Sequence, residues 1–237
     1  MNNLKHISAS SINAYNNCEL NWYYTYVLKL LQLPNPAFII GTLYHKCIEE
    51  FYKGGKVDLI LDNIKKEILK DKPSDEDIKN YGLIRKMFKA YLLNPIDGDI
   101  NDNEFRFSIR IPGVDVPLLG FIDRVDNDKI VEYKTTSQDF TLNDIKTLQS
   151  RIYVYAIYKE KGKILPVVYS INNKKKVDKK GYKPQVLSIE YSKSDLEATE
   201  DEIRTFYDKI GSQTSFRHKQ GKYPCPFCHL KSEIKIK

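Results

Sequence analysis

The stretch Leu118–Lys134, LLGFIDRVDNDKIVEYK, constrains this chain more than any other. Two apolar runs flank Asn127-Asp128, a turn-prone pair, which predicts a β-hairpin with a two-residue loop. Counting outward from the loop pairs Asp126 with Lys129, Val125 with Ile130, and Asp123 with Glu132. Strand side chains repeat every second residue, so Lys134 shares a face with Glu132. Directly opposed carboxylates stand about 5 Å apart and repel each other. Here one acid lies inside GFID and the other inside IVEY, so a divalent cation is predicted between them, with the lysine alongside. Such hard oxygen ligands suit Mg2+ or Mn2+, and an ion of that kind beside a phosphate polarises it and activates a water. Lys134 would orient that water or neutralise charge developing on the phosphorane. This is a phosphodiester-hydrolysing site in outline; the alternative is a plain surface salt bridge among Asp123, Glu132 and Lys134.

Composition narrows the setting. At 237 residues the chain is long enough for one well-cored domain with a helical elaboration. No apolar run approaches the roughly 20 residues that a membrane-spanning helix needs. The opening MNNLKHISAS has no signal-peptide core, so a cytoplasmic location without membrane attachment is the expectation. A net charge of +7 and a pI near 9.0 fit a surface that meets a polyanion. The 17 tyrosines could stack on unpaired bases, although core packing accounts for most of them. Cysteines at 18, 47, 225 and 228 do not form the framework of a secreted disulfide protein.

Along the chain, Ser8, Ser10 or Ser11 caps a predicted helix running to about Leu31, with Tyr15, Cys18, Trp22 and Tyr26 on one face. Pro34 and Pro36 end it. A second helix, about Phe38 to Lys53, stops at Gly54-Gly55 and carries Gly41, His45, Ile48 and Tyr52 on one face, with Cys47 off it. Two more helices are predicted at about 57–70 and 75–93. Residues 104–111, EFRFSIRI, alternate as a half-buried strand, with Phe105, Phe107, Ile109 and Ile111 on one side and Glu104 on the other. Glu104 is either an extra acidic ligand or solvent-facing. An amphipathic helix from Leu142 to about Tyr158 places Gln149 and Tyr153 one turn apart, and Ile145, Leu148, Ile152 and Ala156 inward.

Strands at 164–171 and 185–192 bracket a segment with lysines at 174, 175, 176, 179, 180 and 183. That run reads as a solvated, mobile loop or as a phosphate-gripping arm. A last helix spans about 193–210. The expected fold is α/β: a central mixed sheet flanked by helices, with an N-terminal helical lobe. It divides into a helical part at 1–95, a core at 96–192, and a helix with a cysteine-containing tail at 193–237.

GTLYH at 41–45, GFIDRVD at 120–126, VEYKT at 131–135 and QSRIY at 149–153 resemble, in order, the motifs of the RecB-like nucleases of the PD-(D/E)XK superfamily. That family includes CRISPR-associated RecB-like exonucleases, AddB-type nuclease domains and the mitochondrial genome maintenance exonuclease. The resemblance runs from SASSINAYNNCELNWYYTYV to the terminal cysteines. It implies a restriction-endonuclease-like core and Mg2+- or Mn2+-dependent cleavage of DNA, as an exonuclease more than an endonuclease. It further implies metal ligation by His45, Asp123, Glu132 and the Tyr133 carbonyl, with Glu104 as the preceding acid. Lys134 is implied as the catalytic lysine, and Gln149 and Tyr153 as the supporting pair. Lys174, Lys175 and Lys176 are expected to guide the strand.

Many relatives hold an iron-sulfur cluster with one N-terminal and three C-terminal cysteines. Here Cys18, Cys225 and Cys228 match, but Ile234 stands where the fourth would fall. The alternatives are a cluster completed by His229, Cys47 or an outside ligand, a zinc site using His229 or His218, or plain thiols. The expected partner is DNA, single-stranded or with free ends, and a helicase, integrase or recombination protein could accompany it. The rival functions are a DNA-binding module that does not cleave, an RNA-directed nuclease, and a site-specific endonuclease.

Overall fold

The computed structural model describes residues 4–30, 36–70, 72–218, 227 and 233–235. Ser8 opens the first helix, α1 (Ala9–Asn17), by a reciprocal cap with Ser11. The helix does not continue to Leu31. It stops at Cys18, whose extended backbone (φ −161°, ψ 112°) lets a short α2 (Glu19–Trp22) and a π-turn (Tyr23–Val27) follow in a new direction. Asn16-Asn17 is a weak helical pair, and the break turns Cys18 fully inward. Pro36 begins α3 (Pro36–Tyr52) and does not end the preceding helix, as suits a residue without an amide hydrogen to offer. Leu31 and Pro34 lie outside the described residues.

Helices α4 (Val57–Ile68) and α5 (Asp75–Leu92) complete the N-terminal lobe. Then come β1 (Ile100–Ile109), β2 (Leu118–Asp126), β3 (Ile130–Thr136), α6 (Leu142–Ile145), α7 (Leu148–Lys161), β4 (Val167–Asn173), β5 (Gln185–Ile189) and α8 (Lys193–Ser212). A small ribbon pairs β6 (Ser215–Arg217) with β7 (Glu233–Lys235). The helix expected over 142–158 is two helices. Thr147 caps α7 by exchanging hydrogen bonds with Ser150, which restarts the helix at Leu148. The four predicted inward residues are still buried.

The main sheet has the order β1-β2-β3-β4-β5, antiparallel throughout except for the parallel β3–β4 pair. It is the mixed sheet that the sequence predicts. Ile130 and Val131 show how it is covered, because both are fully buried yet belong to different cores. Ile130 packs with Phe107, Ile122, Ile152 and Val167 beneath α1, α7 and α8. Val131 and Tyr133 pack with Tyr44, Ile48, Ile84 and Phe88 from α3 and α5. Among the described residues no helix is long and apolar enough to cross a membrane.

Gly120 is required by a close approach. A Cβ built there would fall 2.2 Å from Cζ of Phe107, whose side chain is buried and cannot swing clear. Gly120→Ala is expected to cost about 1–3 kcal/mol of stability through overpacking, read as a lower denaturation midpoint at unchanged slope. A midpoint equal to wild type would show that the Phe107 ring has room to move.

The lysine-rich segment is tied down. Tyr182 Oη accepts from the Asn173 amide at 2.6 Å and donates to Asn172 Oδ1 at 3.1 Å. Lys176 pairs with Asp139, and Asp178 with Lys86 at 2.6 Å. The loop is therefore an anchored series of turns, held by two ion pairs and by the hydrogen bonds of one tyrosine.

Candidate active site

The hairpin register is the predicted one, with Arg124 opposite Val131 and Val125 opposite Ile130, so Asp123 and Glu132 face each other. Beyond that point the two strands part. The Tyr133 amide donates to Asp123 Oδ2 at 2.8 Å, so a side-chain carboxylate takes the place of a backbone acceptor. The alternation of β2 also breaks here, since Ile122 and Val125, three residues apart, join the same core. Across on β1, Glu104 sits between the pairs Asn103–Arg124 and Phe105–Ile122, with a left-handed backbone at φ +53°. Such a conformation is strained for a residue other than glycine and collects at functional sites.

His45 on α3 reaches the other oxygen of Asp123, with Nδ1 3.1 Å from Oδ1. Burial pushes the Asp123 carboxyl up, but His45, the Tyr133 amide and Lys134 together outweigh it and hold the group below the usual range. Burial likewise pushes the His45 imidazole down, and Asp123 and Glu132 draw it above its ordinary value. Glu132 is the reverse case. Its side chain is 2% exposed, and burial followed by the Asp123 charge pushes it up to about 7.

Lys134 Nζ donates to Glu132 Oε1 at 2.5 Å and to Gln149 Oε1 at 3.2 Å, and Gln149 Nε2 donates to Tyr153 Oη at 2.5 Å. The lysine is thus gripped from two elements, and its pairing with Glu132 keeps it charged despite burial. Gln149 therefore braces the lysine directly, and Tyr153 braces Gln149.

His45, Asp123 and Glu104 line one cleft of about 520 Å³ with Gly41, Thr42 and Glu49. Glu104 is thus not simply solvent-facing; burial, then Asp123 and Glu49, raise its carboxyl. Sequence reasoning missed Glu49, although it stands one turn after His45 on the same helix and that spacing could have found it.

The cysteine expectations fall mostly elsewhere. Cys225, Cys228 and His229 lie outside the described residues. Cys18 is buried beside Leu20, Tyr24 and Phe227, with Sγ 3.7 Å from His218 Nδ1, so the N-terminal cysteine does meet the tail. No third His, Cys, Asp or Glu is gathered with them among the described residues. Cys47 belongs to the α3–α5 core, its thiol pushed up to about 12 by burial, whereas Cys18 packs in a separate cluster with Leu20, Tyr24 and Phe227.

Among the described residues no three His, Cys, Asp or Glu side chains are gathered as a ready metal cage. His45 and Asp123 are bonded to each other, while Glu132 is turned to Lys134. The donor set nevertheless fits a hard cation. Glu132 Oε2 is buried and has no hydrogen-bond partner, and an unsatisfied carboxylate oxygen opposite a second carboxylate is what such an ion would satisfy.

A mixed sheet with two opposed acids and a lysine at one strand end, flanked by helices on both faces, defines a class of nuclease folds. The model of the PD-(D/E)XK nuclease superfamily matches residues 6–232, and the chain belongs to that superfamily. Its fold is similar to the crystal structure of a candidate exonuclease from Eubacterium rectale, at 14% identity over 88% of this chain and 80% of that one, with a TM-score of 0.56. A second solved structure, SSO0001, aligns at 13% identity over 86% of this chain and 89% of its own, with a TM-score of 0.36. No curated protein matches the chain.

Proposed function

We propose that this protein is a divalent-metal-dependent deoxyribonuclease that hydrolyses phosphodiester bonds, acting from DNA ends. The observation that carries the reading is the unpartnered, buried Oε2 of Glu132 set opposite Asp123, with Lys134 on the same face. Superfamily membership supports hydrolysis of nucleic acid, and the net charge of +7 supports a polyanionic substrate. Asp123 and Glu132 would hold Mg2+ or Mn2+ together with His45 and the Tyr133 carbonyl, and Glu104 stands next in line. The ion's contribution would be to polarise the phosphate and make water a better nucleophile at neutral pH.

The protein's own groups do the rest. Gln149 and Glu132 aim the Lys134 ammonium, which orients the attacking water and neutralises charge developing on the phosphate oxygens. The Tyr133 amide holds the Asp123 carboxylate in place from the opposite side to His45. At the end of β3 the Lys174 amide bonds the Thr136 carbonyl at 2.8 Å, two residues beyond Lys134. The lysine-rich loop thereby starts beside the reaction centre. Lys175 is exposed there, whereas Lys176 is committed to Asp139, so Lys175 and its exposed neighbours are the ones that guide the strand.

The deciding experiment is cleavage of end-labelled DNA with Mg2+, Mn2+ or EDTA, comparing wild type with Asp123→Ala. Metal-dependent products absent from the variant support the reading. Bound DNA without cleavage under either metal would favour a non-cleaving module.

Metal should also register in stability. An ion bound only by the folded state adds about 2.7 kcal/mol at a hundred times its dissociation constant. For a chain of this size that raises Tm by about 5–10 °C. Mg2+ or Mn2+ titration should show this rise in wild type and a flat response in Glu132→Gln. Equal shifts in both proteins would place the ion elsewhere.

A further inference from the structure

Of all the phenylalanine, tyrosine and tryptophan residues described, only Phe38 and Phe121 are exposed, at 76% and 53%. Their positions are not scattered. Phe38, in the first turns of α3, lines the same cleft as His45, Glu104 and Asp123. Phe121, on β2 two residues before Asp123, lines a separate cleft of about 340 Å³ with His6, Ser10, Gln149 and Tyr153. Gln149 is the residue that holds Lys134. The carboxylate–lysine centre therefore stands between two clefts, each with one bare aromatic ring and polar groups that can bond a base edge.

We propose that Phe38 and Phe121 are stacking platforms for unpaired bases on either side of the reacting phosphate, and that they make the protein selective for a single DNA strand. The inference rests on the nuclease reading for where the phosphate lies. An aromatic ring can stack only on a base whose face is open, and inside a duplex neighbouring base pairs occupy both faces of every base but the terminal ones. Two such rings flanking one centre therefore favour an unpaired strand, and the chain's net charge of +7 favours the approach of its phosphates. The other described aromatic side chains are wholly or partly packed, so leaving these two in water is a cost with no return in the folded core.

The test is fluorescence anisotropy with a labelled single-stranded oligothymidine and a blunt duplex of equal length, in Ca2+ at fixed salt. The proteins compared are wild type, Phe38→Ala, Phe121→Ala and Phe38→Trp. Each alanine variant should bind the single strand about tenfold more weakly, with duplex affinity and Tm unchanged, and Phe38→Trp should bind as wild type does. Alanine variants that hold the single strand as tightly as wild type would overturn the inference, as would equal losses on both DNAs. A wild type that prefers the duplex would overturn it too. Cleavage is scored separately: binding that depends on both rings in a protein that never cleaves would remove the nuclease reading and leave the stacking assignment in place.

Discussion

Lys134→Ala is expected to lower DNA cleavage by about 10²–10³-fold while changing DNA affinity by no more than about twofold. The lysine is held by Glu132 at 2.5 Å and by Gln149 at 3.2 Å, and among the described residues it is the cation bonded to that carboxylate. Its loss removes a charge aimed at the reaction centre and leaves the phosphate-binding surface as it was. The fold should survive. Glu132 is already pushed up to about 7 by burial and by Asp123, so in the metal-free variant, without its lysine, it takes up a proton and leaves no unpaired charge in its pocket. Single-turnover cleavage with saturating metal is the measurement, with circular dichroism as the check on folding. Turnover within tenfold of wild type would remove Lys134 from the mechanism.

Arg124→Ala should destabilise the protein by about 3–5 kcal/mol. The guanidinium is 0% exposed and bonds both oxygens of Asp126, at 2.6 and 2.7 Å. It also donates to the Ile96 carbonyl at 2.9 Å and lies 4.6 Å from the centre of the Tyr52 ring. Truncating the arginine strands Asp126 as a buried charge whose remaining ion-pair partner among the described residues is Lys129, 3.5 Å away. Chemical denaturation of Arg124→Ala, Asp126→Leu and the double variant measures the pair by a thermodynamic cycle. The double variant should lose less than the two single losses combined, because neither charge is then left alone. A single variant within about 1 kcal/mol of wild type would mean that water reaches the site and screens it.

Neither Arg124 nor Asp126 stood out in the sequence, although both lie inside GFIDRVD. A charged pair two apart on a strand normally points into solvent, and here Tyr52 of α3 and the segment at 96–98 cover it. Gly98 is part of that cover, and a Cβ there would fall 1.9 Å from Asp126 Oδ2. The first helix shows a different failure. Its apolar face is helical in period from Tyr15 to Tyr26, yet the chain leaves the helix at Cys18 to bury that residue against the tail. Periodicity cannot see a partner 200 residues away.

What the sequence by itself determined was the local geometry. Period-two alternation and a two-residue turn settle which side chains share a face of a hairpin, so the grouping of Asp123, Glu132 and Lys134 was legible from residue order alone. Serine and threonine caps likewise mark most helix starts, because the hydrogen bonds they make span only three residues. Tertiary structure decided everything that joins distant segments. His45 meets Asp123 across 78 residues because Tyr44 and Ile48 bury against Val131 and Tyr133, which fixes the rotation of α3 over the sheet. The parting of β2 from β3, the left-handed Glu104 and the two exposed phenylalanines also depend on which surfaces come together. Those are outcomes of packing, a cooperative property of the whole chain that no short window of sequence contains.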